Sequence, residues 1–227
     1  MDAPTENTIR CLIPQDNQLQ VYSTETNPSC RVIGIIENNI ITKNITEKLS
    51  TKDNRIQIDL KKDILKIVVL ERYGRSTPPS VAFVKGMGLK KGAIGSSVGH
   101  DSHNAVVIGA NDNDIVQCFH RIKELGGGFV VVSDGKILAE LALPIAGLMT
   151  SAPLKEIYKK LKGLRKATSE VGCKLSDPFL QMAFLCLPVI PQLKITDQGL
   201  VDVEKFTFVS VSLKGSAGPT QPLYSVK

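Results

Sequence analysis

Hydrophobic residues in this chain recur with two different spacings, which separate the predicted strands from the predicted helices. Short runs rich in β-branched residues predict strands at 31–36, 64–71, 81–84, 105–109 and 129–133, and alternation predicts a last strand at 206–213. Apolar residues three and four positions apart predict a helix over 115–125, a second over 154–171 and a shorter third over 178–187.

Local signals mark where some of these elements begin, end and turn. Asp112 is a candidate N-cap for the first helix, and Gly126 can end that helix in a left-handed conformation. Asp134-Gly135 lies between two strand-like runs and supplies the positive φ angles that a tight hairpin turn needs. The predicted fold class is therefore α+β, with one or more mixed sheets packed against two to three helices around a single main core.

The same patterns divide the chain into three regions. Residues 1–30 are polar with scattered prolines and are expected to form an extended lead-in. Residues 31–213 hold nearly all of the periodic segments and are expected to form the α+β domain. Residues 214–227 contain Gly, Ser and Pro and are expected to be a flexible tail.

Composition and charge exclude several classes of protein. The 227 residues are 42% hydrophobic, which is too apolar for a chain that is mainly disordered. The net charge is +6, but the lysines and arginines are dispersed, so no nucleic-acid partner is expected. No apolar run approaches the roughly 18–20 residues of a membrane-spanning helix, so no membrane partner is expected.

The cysteines and the first residues bear on the compartment. The five cysteines are far apart and include no C-x-x-C pair, which argues against a disulfide framework and against a thiolate metal site. Residues 1–10 are polar and lack the apolar core of a secretory signal. A cytoplasmic protein is therefore expected.

The segment 86–104, GMGLKKGAIGSSVGHDSHN, differs from the rest of the chain in composition. It is rich in glycine and serine and holds two of the three histidines, and such residues bury poorly without partners. A long polar connection in a compact domain is usually functional or mobile, so we expect this one to line a site; the alternative is a surface hairpin held by local hydrogen bonds. The candidate site-facing residues are Ser96, Ser97, His100, Asp101, Ser102, His103 and Asn104.

Three specific chemistries compete at this segment, and none has its full motif. Residues 95–99 match the G-x-S-x-G pattern, but a strand follows where a nucleophilic serine needs a helix. His100 and His103 are weak metal-ligand candidates, because two imidazoles do not complete a site, and no metal is expected on this chain alone. Residues 86–91 combine glycine with lysine but match neither common phosphate-binding pattern.

Several blocks of sequence, in the same order, resemble the C-terminal region of prokaryotic-type adenine deaminase. The blocks are KGMGLKKGAIGSSVGHDSHN, ELGGGFVVVSDGKILAELALPIAGLM and DPFLQMAFLCLPVIPQLKITDQGLVDV. RVIGIIENNIITKNI and DILKIVVLERYGR resemble the segment that precedes them. The resemblance extends over about residues 7–212.

The resemblance implies the hydrolysis of adenine to hypoxanthine and ammonia, a reaction of purine salvage and adenine catabolism. In that family an amidohydrolase-type barrel, N-terminal to the matched region, binds two divalent ions, manganese or iron, which activate the attacking water. This chain is expected to supply only the C-terminal domain, without the barrel or the ligands of the metals, and to be inactive alone.

The resemblance also suggests partners and an alternative. Adenine is the implied substrate of the complete enzyme, while a separately encoded barrel and a second copy of this chain are candidate partners. Residues His100–Asn104 are expected to face the substrate site in the complete enzyme. The alternative is a stand-alone purine-binding or protein-interaction module that has lost catalysis.

Overall fold

The computed structural model describes residues 7–75 and 77–214. The strands in this part of the chain are β1 (Ser29–Ile35), β2 (Thr42–Lys48), β3 (Thr51–Lys52), β4 (Arg55–Ile56), β5 (Ile64–Leu70), β6 (Ser80–Lys85), β7 (Ala93–Ser96), β8 (Ala105–Gly109), β9 (Gly128–Ser133), β10 (Lys136–Ala142), β11 (Leu193–Thr196), β12 (Gly199–Asp202) and β13 (Thr207–Val209). The α-helices are α1 (Asp112–Glu124), α2 (Leu154–Glu170) and α3 (Pro178–Leu185), and none of these is long and apolar enough to cross a membrane.

Eight strands form one sheet, in the order β10-β9-β7-β8-β5-β6-β1-β2. Neighbouring strands are antiparallel, apart from β1 and β6, which are parallel. A three-stranded sheet, β11-β12-β13, and the short pair β3-β4 complete the strands of the described residues. The predicted α+β class, with a mixed sheet packed against helices, is confirmed.

The large sheet is the middle layer of the fold, because successive residues of a strand point to opposite faces. On one face, Val107 of β8 belongs to a buried cluster with Ile115 and Phe119 of α1. On the other face, Ile108 belongs to a cluster that includes residues of α2, α3 and the three-stranded sheet, among them Leu164. Each face of the central strands therefore has its own core, and β8 is buried along its whole length.

The residues before β1 pack on the same side of the sheet as α1. Ile9, Cys11 and Leu19 are buried and belong to the cluster that α1 forms with the sheet. A short 3₁₀ turn at Asp16–Leu19 contacts α1 directly. The segment predicted as a lead-in thus contributes side chains to the core, whereas residues 215–227 of the tail predicted over 214–227 lie outside the described residues.

The β9–β10 hairpin was predicted from its turn, and the structure confirms it. Asp134 and Gly135 have φ angles of +54° and +71°, as a two-residue primed turn requires. The strands on either side pair antiparallel, with Ser133 opposite Lys136. The turn residues therefore determine this connection locally.

The predicted N-cap of α1 is wrong by one residue. Asn111 occupies the cap position with an extended backbone, and its Oδ1 accepts a hydrogen bond from the Asp114 N–H at 2.8 Å. The carboxylate of Asp112 instead accepts hydrogen bonds from the ammonium of Lys66 and the side-chain amide of Gln20. An amide and a carboxylate cap equally well, so sequence propensity alone does not separate these neighbours.

The prediction of a long polar connection over 86–104 is also wrong in its middle. Residues Ala93–Ser96 form β7, which is fully buried between β8 and β9. Gly95 lets α1 approach this strand, because a Cβ there would lie 2.9 Å from Cδ1 of Ile122. The glycine and serine content of the segment therefore reflects close packing as well as loop structure.

The C-terminal prediction was only partly right. The last strand, predicted over 206–213, is confined to Thr207–Val209 at one edge of the small sheet. β11 and β12, which pair with each other before it, were not predicted. Strands of three or four residues leave too few alternations for a periodic pattern to be recognised.

Candidate functional site

The HDSHN residues lie in the loop that joins the antiparallel strands β7 and β8. Helix α3 packs against this loop. The backbone N–H of His100 donates to the carbonyl oxygen of Ala183 at 3.0 Å, and the His100 ring centroid lies 4.7 Å from that of Phe184. The loop is thus a hairpin connection whose histidine is oriented by a helix from a distant part of the sequence.

The side chain of Arg72 holds the opposite side of the loop by a hydrogen bond. Its side chain is only 5% exposed, and its Nη1 donates to the carbonyl oxygen of His103 at 3.1 Å. Its Nη2 donates to the carbonyl oxygen of Ala146 and to Oγ1 of Thr8. One guanidinium therefore ties the HDSHN loop to the segment after β10 and to the N-terminal segment.

The two histidines of the loop lie close together, with ring centroids 6.4 Å apart. His103 has a φ of +50°, and its Nδ1 accepts a hydrogen bond from the Gly99 N–H at 3.4 Å. Burial, together with the positive charges of Arg72 and His100, lowers the pKa of His103 below its ordinary value. The imidazole of His103 is therefore neutral at neutral pH, and its proton lies on Nε2, because Nδ1 is an acceptor.

The other candidate residues divide into two groups. Asp101 and Ser102 are exposed at the tip of the loop. Ser97 is fully buried, where its Oγ donates to the carbonyl oxygen of Gly147 at 2.6 Å and accepts from the Gly128 N–H at 2.7 Å. These two bonds occupy the Ser97 hydroxyl, so the G-x-S-x-G pattern does not present a free nucleophile.

Ser96 and Asn104, at the ends of the two strands, also form internal hydrogen bonds. Oγ of Ser96 is bonded to the backbone of Val98, from which it accepts at 2.9 Å. Oδ1 of Asn104 accepts from the Arg72 N–H at 3.2 Å. His100 and His103 thus lie close together near the surface. The hydrogen bonds of Ser96, Ser97 and Asn104 hold the backbone beneath them.

The residues present do not fit the metal pair that the family resemblance implies. Among the described residues, no group of three His, Cys, Asp or Glu side chains is placed to hold a metal ion. His100 and His103 supply two imidazoles, and a structural or catalytic site needs at least a third protein ligand. The described residues alone therefore do not complete a metal site.

A cavity of about 320 Å³ opens beside the loop, between α2, α3 and the sheet. Its lining includes His100, which links the cavity to the HDSHN loop. The rest of the lining consists of Val98, Phe129, Leu161, Leu164, Arg165, Thr168, Ser176, Asp177, Pro178, Phe179, Leu180 and Ala183. Most of this surface is apolar, with charged side chains contributed by α2 and by the start of α3.

Lys194 of β11 holds α3 in place from the side opposite the cavity lining. Its side chain has no exposed surface, and its Nζ donates to the carbonyl oxygens of Ile40 at 2.7 Å and Phe184 at 3.0 Å. Burial lowers the pKa of Lys194 from 10.5 to about 8, and the Cys186 thiol opposes this shift. A buried ammonium therefore supports the helix whose residues contact His100.

The depressed pKa of Lys194 predicts a pH dependence of stability. Between about pH 8 and 10.5 the unfolded chain binds more protons at this site than the folded chain does, so the free energy of unfolding rises with pH across that window. We expect the rise to exceed about 1 kcal/mol relative to Lys194→Met. The two proteins compared are Cys186→Ala and the double variant Cys186→Ala/Lys194→Met, so that the neighbouring thiol is absent from both. Urea denaturation at each pH gives the difference between their free energies of unfolding.

A pH-independent difference between these two proteins would show that Lys194 keeps its ordinary pKa in the folded state. The comparison must be made as a difference because burial raises the pKa of other thiols, for example that of Cys30 to about 11. Such thiols lower stability as pH rises above 9, which is the opposite direction.

Sequence reasoning missed three residues of this region. Arg72 follows the strongly apolar run of β5, and Lys194 lies between Leu193 and Ile195 in a short apolar strand. A charged residue within or directly after an apolar run is the only sequence signal of such buried cations, and it is weak. Arg165 of α2 was counted among dispersed surface charges, since nothing in the sequence brings it beside α3.

Comparison with known proteins shows to which family the chain is similar. A family model described as "Adenine deaminase C-terminal domain" matches residues 39–207. Adenine deaminase of Brucella abortus (strain 2308) is 52% identical over 179 residues, which are 79% of this chain and 31% of the relative. Adenine deaminase 1 of Rhizobium johnstonii is 50% identical over 178 residues, 78% of this chain and 31% of the relative.

A third relative, adenine deaminase 1 of Rhizobium meliloti (strain 1021), is 49% identical over 178 residues. The chain spans about a third of the length of these curated relatives, with 31% to 32% of each covered. The family model covers most of the chain, from residue 39, which lies between β1 and β2, to the start of β13. The chain therefore belongs to the adenine deaminase C-terminal domain family.

Proposed function

We propose that this chain is the C-terminal domain of an adenine deaminase, in which a metal-binding barrel supplies the metal centre. The reaction is the hydrolysis of adenine to hypoxanthine and ammonia. Family membership and relatives named adenine deaminase support this proposal. The observation that carries it is the pair of imidazoles at the β7–β8 loop, held from two sides by α3 and Arg72.

The chemistry requires that a C–O bond replaces the C–N bond of the exocyclic amine and that ammonia leaves with a proton from the attacking water. A pair of divalent ions, manganese or iron, would supply the activated water when bound to the barrel. His103, neutral with its N–H on Nε2, is suited to donate a hydrogen bond to a ring nitrogen of the base. The proposed role of the loop is to close over the base and orient these groups.

We propose that the protein is located in the cytoplasm. All five cysteines are free thiols, at Cys11, Cys30, Cys118, Cys173 and Cys186, and four of them are buried. Free thiols are typical of a reducing compartment.

An assay of ammonia release tests the proposal. The purified chain is incubated with adenine and Mn²⁺ or Fe²⁺, with and without the N-terminal part of the Brucella abortus relative that this chain does not match. We expect no release by the chain alone and metal-dependent release by the mixture. His103→Ala should lower the rate of the mixture by about tenfold or more, because it removes a positioned hydrogen-bond donor.

His120→Ala, at an exposed histidine of α1 outside the loop, is the matched control and should keep the rate of the unmodified mixture. Activity of the chain alone would refute the view that it lacks the catalytic metal centre. An unchanged rate in His100→Ala and His103→Ala would refute the proposed role of the loop. Purine binding without ammonia release under any condition would favour a purine-binding module.

A further inference from the structure

The cavity between α2 and α3 has the size and walls of a small-molecule site. Its volume of about 320 Å³ lies at the lower end of the range of roughly 300–1,000 Å³ for ligand pockets. Phe129 and Phe179 lie in its wall with ring centroids 4.6 Å apart, and Leu164 is buried beside them. Such walls favour an apolar ring or a short acyl body over a highly hydrated ligand.

The mouth of the cavity exposes apolar side chains to water. Leu161 of α2 is 38% exposed, and Leu180 of α3 is 56% exposed, and both line the cavity. A bound molecule with an apolar body would cover part of both side chains. Burial of that surface would contribute favourably to binding.

Two polar groups in the lining have unused hydrogen-bonding capacity. Within residues 7–75 and 77–214, no carboxylate lies within ion-pairing distance of the Arg165 guanidinium. In the same part of the chain, the ring nitrogens of His100 form no hydrogen bond; its ring only contacts Phe184 and His103. Both groups can therefore donate to an acceptor in the cavity.

The one carboxylate of the lining is already engaged. Oδ1 of Asp177 accepts a hydrogen bond from the Leu180 N–H at 3.2 Å and caps α3. Its negative charge lies at the positive end of that helix and is offset there. Asp177 therefore competes only weakly with Arg165 in determining the charge of a ligand.

Helix α2 makes the surroundings of the mouth positive. It carries six basic and two acidic residues, a net charge of +4 within a chain of +6. Glu156 and Glu170 lie 3.9 and 3.7 Å from Lys160 and Lys166, so the acidic side chains already have partners on the helix. The remaining positive charge attracts anions to this side of the molecule.

We propose that this cavity binds a small amphipathic organic anion, with its ring or acyl body against the apolar wall and its carboxylate paired with Arg165. Arg165 can offer two parallel N–H donors to a carboxylate, and His100 supplies a further donor. Binding of the anion requires neither a metal nor the barrel, although His100 belongs both to this cavity and to the HDSHN loop. It would let an organic acid bind beside the HDSHN loop.

Three probes with the same ring and different charge test the proposal: indole-3-acetate, indole and tryptamine. The chain has no tryptophan, so indole fluorescence excited beyond the tyrosine absorption band reports the probe alone. We expect saturable binding of indole-3-acetate, at least about tenfold tighter than that of tryptamine, with indole between them. Arg165→Gln should bring the three dissociation constants to within about twofold of each other.

Two further variants and a control complete the experiment. Lys166→Gln, next to Arg165 on α2, should change nothing, because the Lys166 ammonium faces Glu170 and does not line the cavity. Ala183→Leu should weaken all three probes by filling the cavity. Leu180→Glu, at an exposed position that does not threaten folding, should weaken indole-3-acetate most.

Three outcomes would overturn the proposal. The first is an absence of saturable binding of every probe to the folded chain. The second is tighter binding of tryptamine than of indole-3-acetate, which would assign the polar group to Asp177. The third is tighter binding of indole-3-acetate than of tryptamine that persists in both Arg165→Gln and Leu180→Glu. None of these outcomes bears on the ammonia assay, so the two proposals fail separately.

Discussion

Replacing Arg72 with methionine will lower the free energy of unfolding by about 3 kcal/mol and loosen the HDSHN loop. Methionine is similar in length and apolar, but it leaves the carbonyl oxygens of His103 and Ala146 and the hydroxyl of Thr8 without their donor. A buried acceptor left unsatisfied costs about 1–3 kcal/mol. Neighbouring groups can rearrange around the less polar methionine. We therefore expect each of the three lost hydrogen bonds to cost about 1 kcal/mol, at the lower end of that range.

The measurement is urea denaturation, with hydrogen exchange as a second readout. Exchange should accelerate at His103 and Ala146, on the two segments that the guanidinium joins, while the strands of the central sheet stay protected. Arg75→Met is the matched control. Arg75 is exposed, and its guanidinium lies 5.2 Å from the ring centroid of Tyr73, so loss of this side chain should change stability by less than about 0.5 kcal/mol.

The role assigned to Arg72 would be wrong if Arg72→Met were as stable as the control and kept the same exchange pattern. Arg72→Lys distinguishes charge from geometry. A lysine at position 72 keeps the positive charge but cannot reach acceptors on separate segments with a planar fork. It should therefore recover only a minor part of the lost stability.

Local chemistry made part of the fold predictable. The β9–β10 hairpin follows from Asp134 and Gly135, because two residues with positive φ define the turn without help from the rest of the chain. Helix α1 follows from the spacing of Ile115, Cys118 and Phe119, which are all buried on one face. In both cases the determining residues are neighbours in sequence.

The parts that were not predicted depend on contacts between distant residues. β7 reads as a loop because Gly95 and Ser96 have low strand propensity, yet it lies in the centre of the sheet. The pairing of β7 with β8 and β9 and the approach of Ile122 from α1 favour the strand there. Tertiary packing overrides local preference at this position.

The candidate site was likewise predicted only in part from the sequence. The histidines were identified from the composition of their loop, and the structure places them beside each other. Their supports are Arg72, which lies two residues after β5, and Lys194 of β11, and no local pattern links either residue to the loop. A sequence can thus indicate which side chains carry chemistry while leaving open which buried groups hold them in place.

Replacing Gly128 with alanine should have the largest effect on folding of any single methyl addition considered. Gly128 begins β9 with a φ of +144°, and a Cβ there would lie 2.0 Å from the carbonyl oxygen of Leu141. Neither the backbone angle nor the neighbouring main chain of β10 can accommodate it without breaking the β9–β10 pairing. We expect a loss of more than about 4 kcal/mol, or a chain that does not fold.

The effect of Gly128→Ala should extend to the loop, because the N–H of Gly128 donates to Oγ of Ser97 at 2.7 Å. Ser97 in turn donates to Gly147, so a shift of β9 removes the support beneath the HDSHN residues. Gly163→Ala is the matched control. Gly163 lies within α2 with no atom within 4 Å of an added Cβ, and alanine there should stabilise the chain by about 0.5–1 kcal/mol.

Circular dichroism and urea denaturation of both variants measure the prediction. Opposite signs for the same chemical change would show that backbone conformation and close approach, rather than glycine as such, determine the cost. A Gly128→Ala protein as stable as the unmodified chain would mean that β9 and β10 can separate at this position. The backbone beneath the HDSHN loop could then shift without loss of stability, and the fixed position proposed for His103 would lose its structural basis.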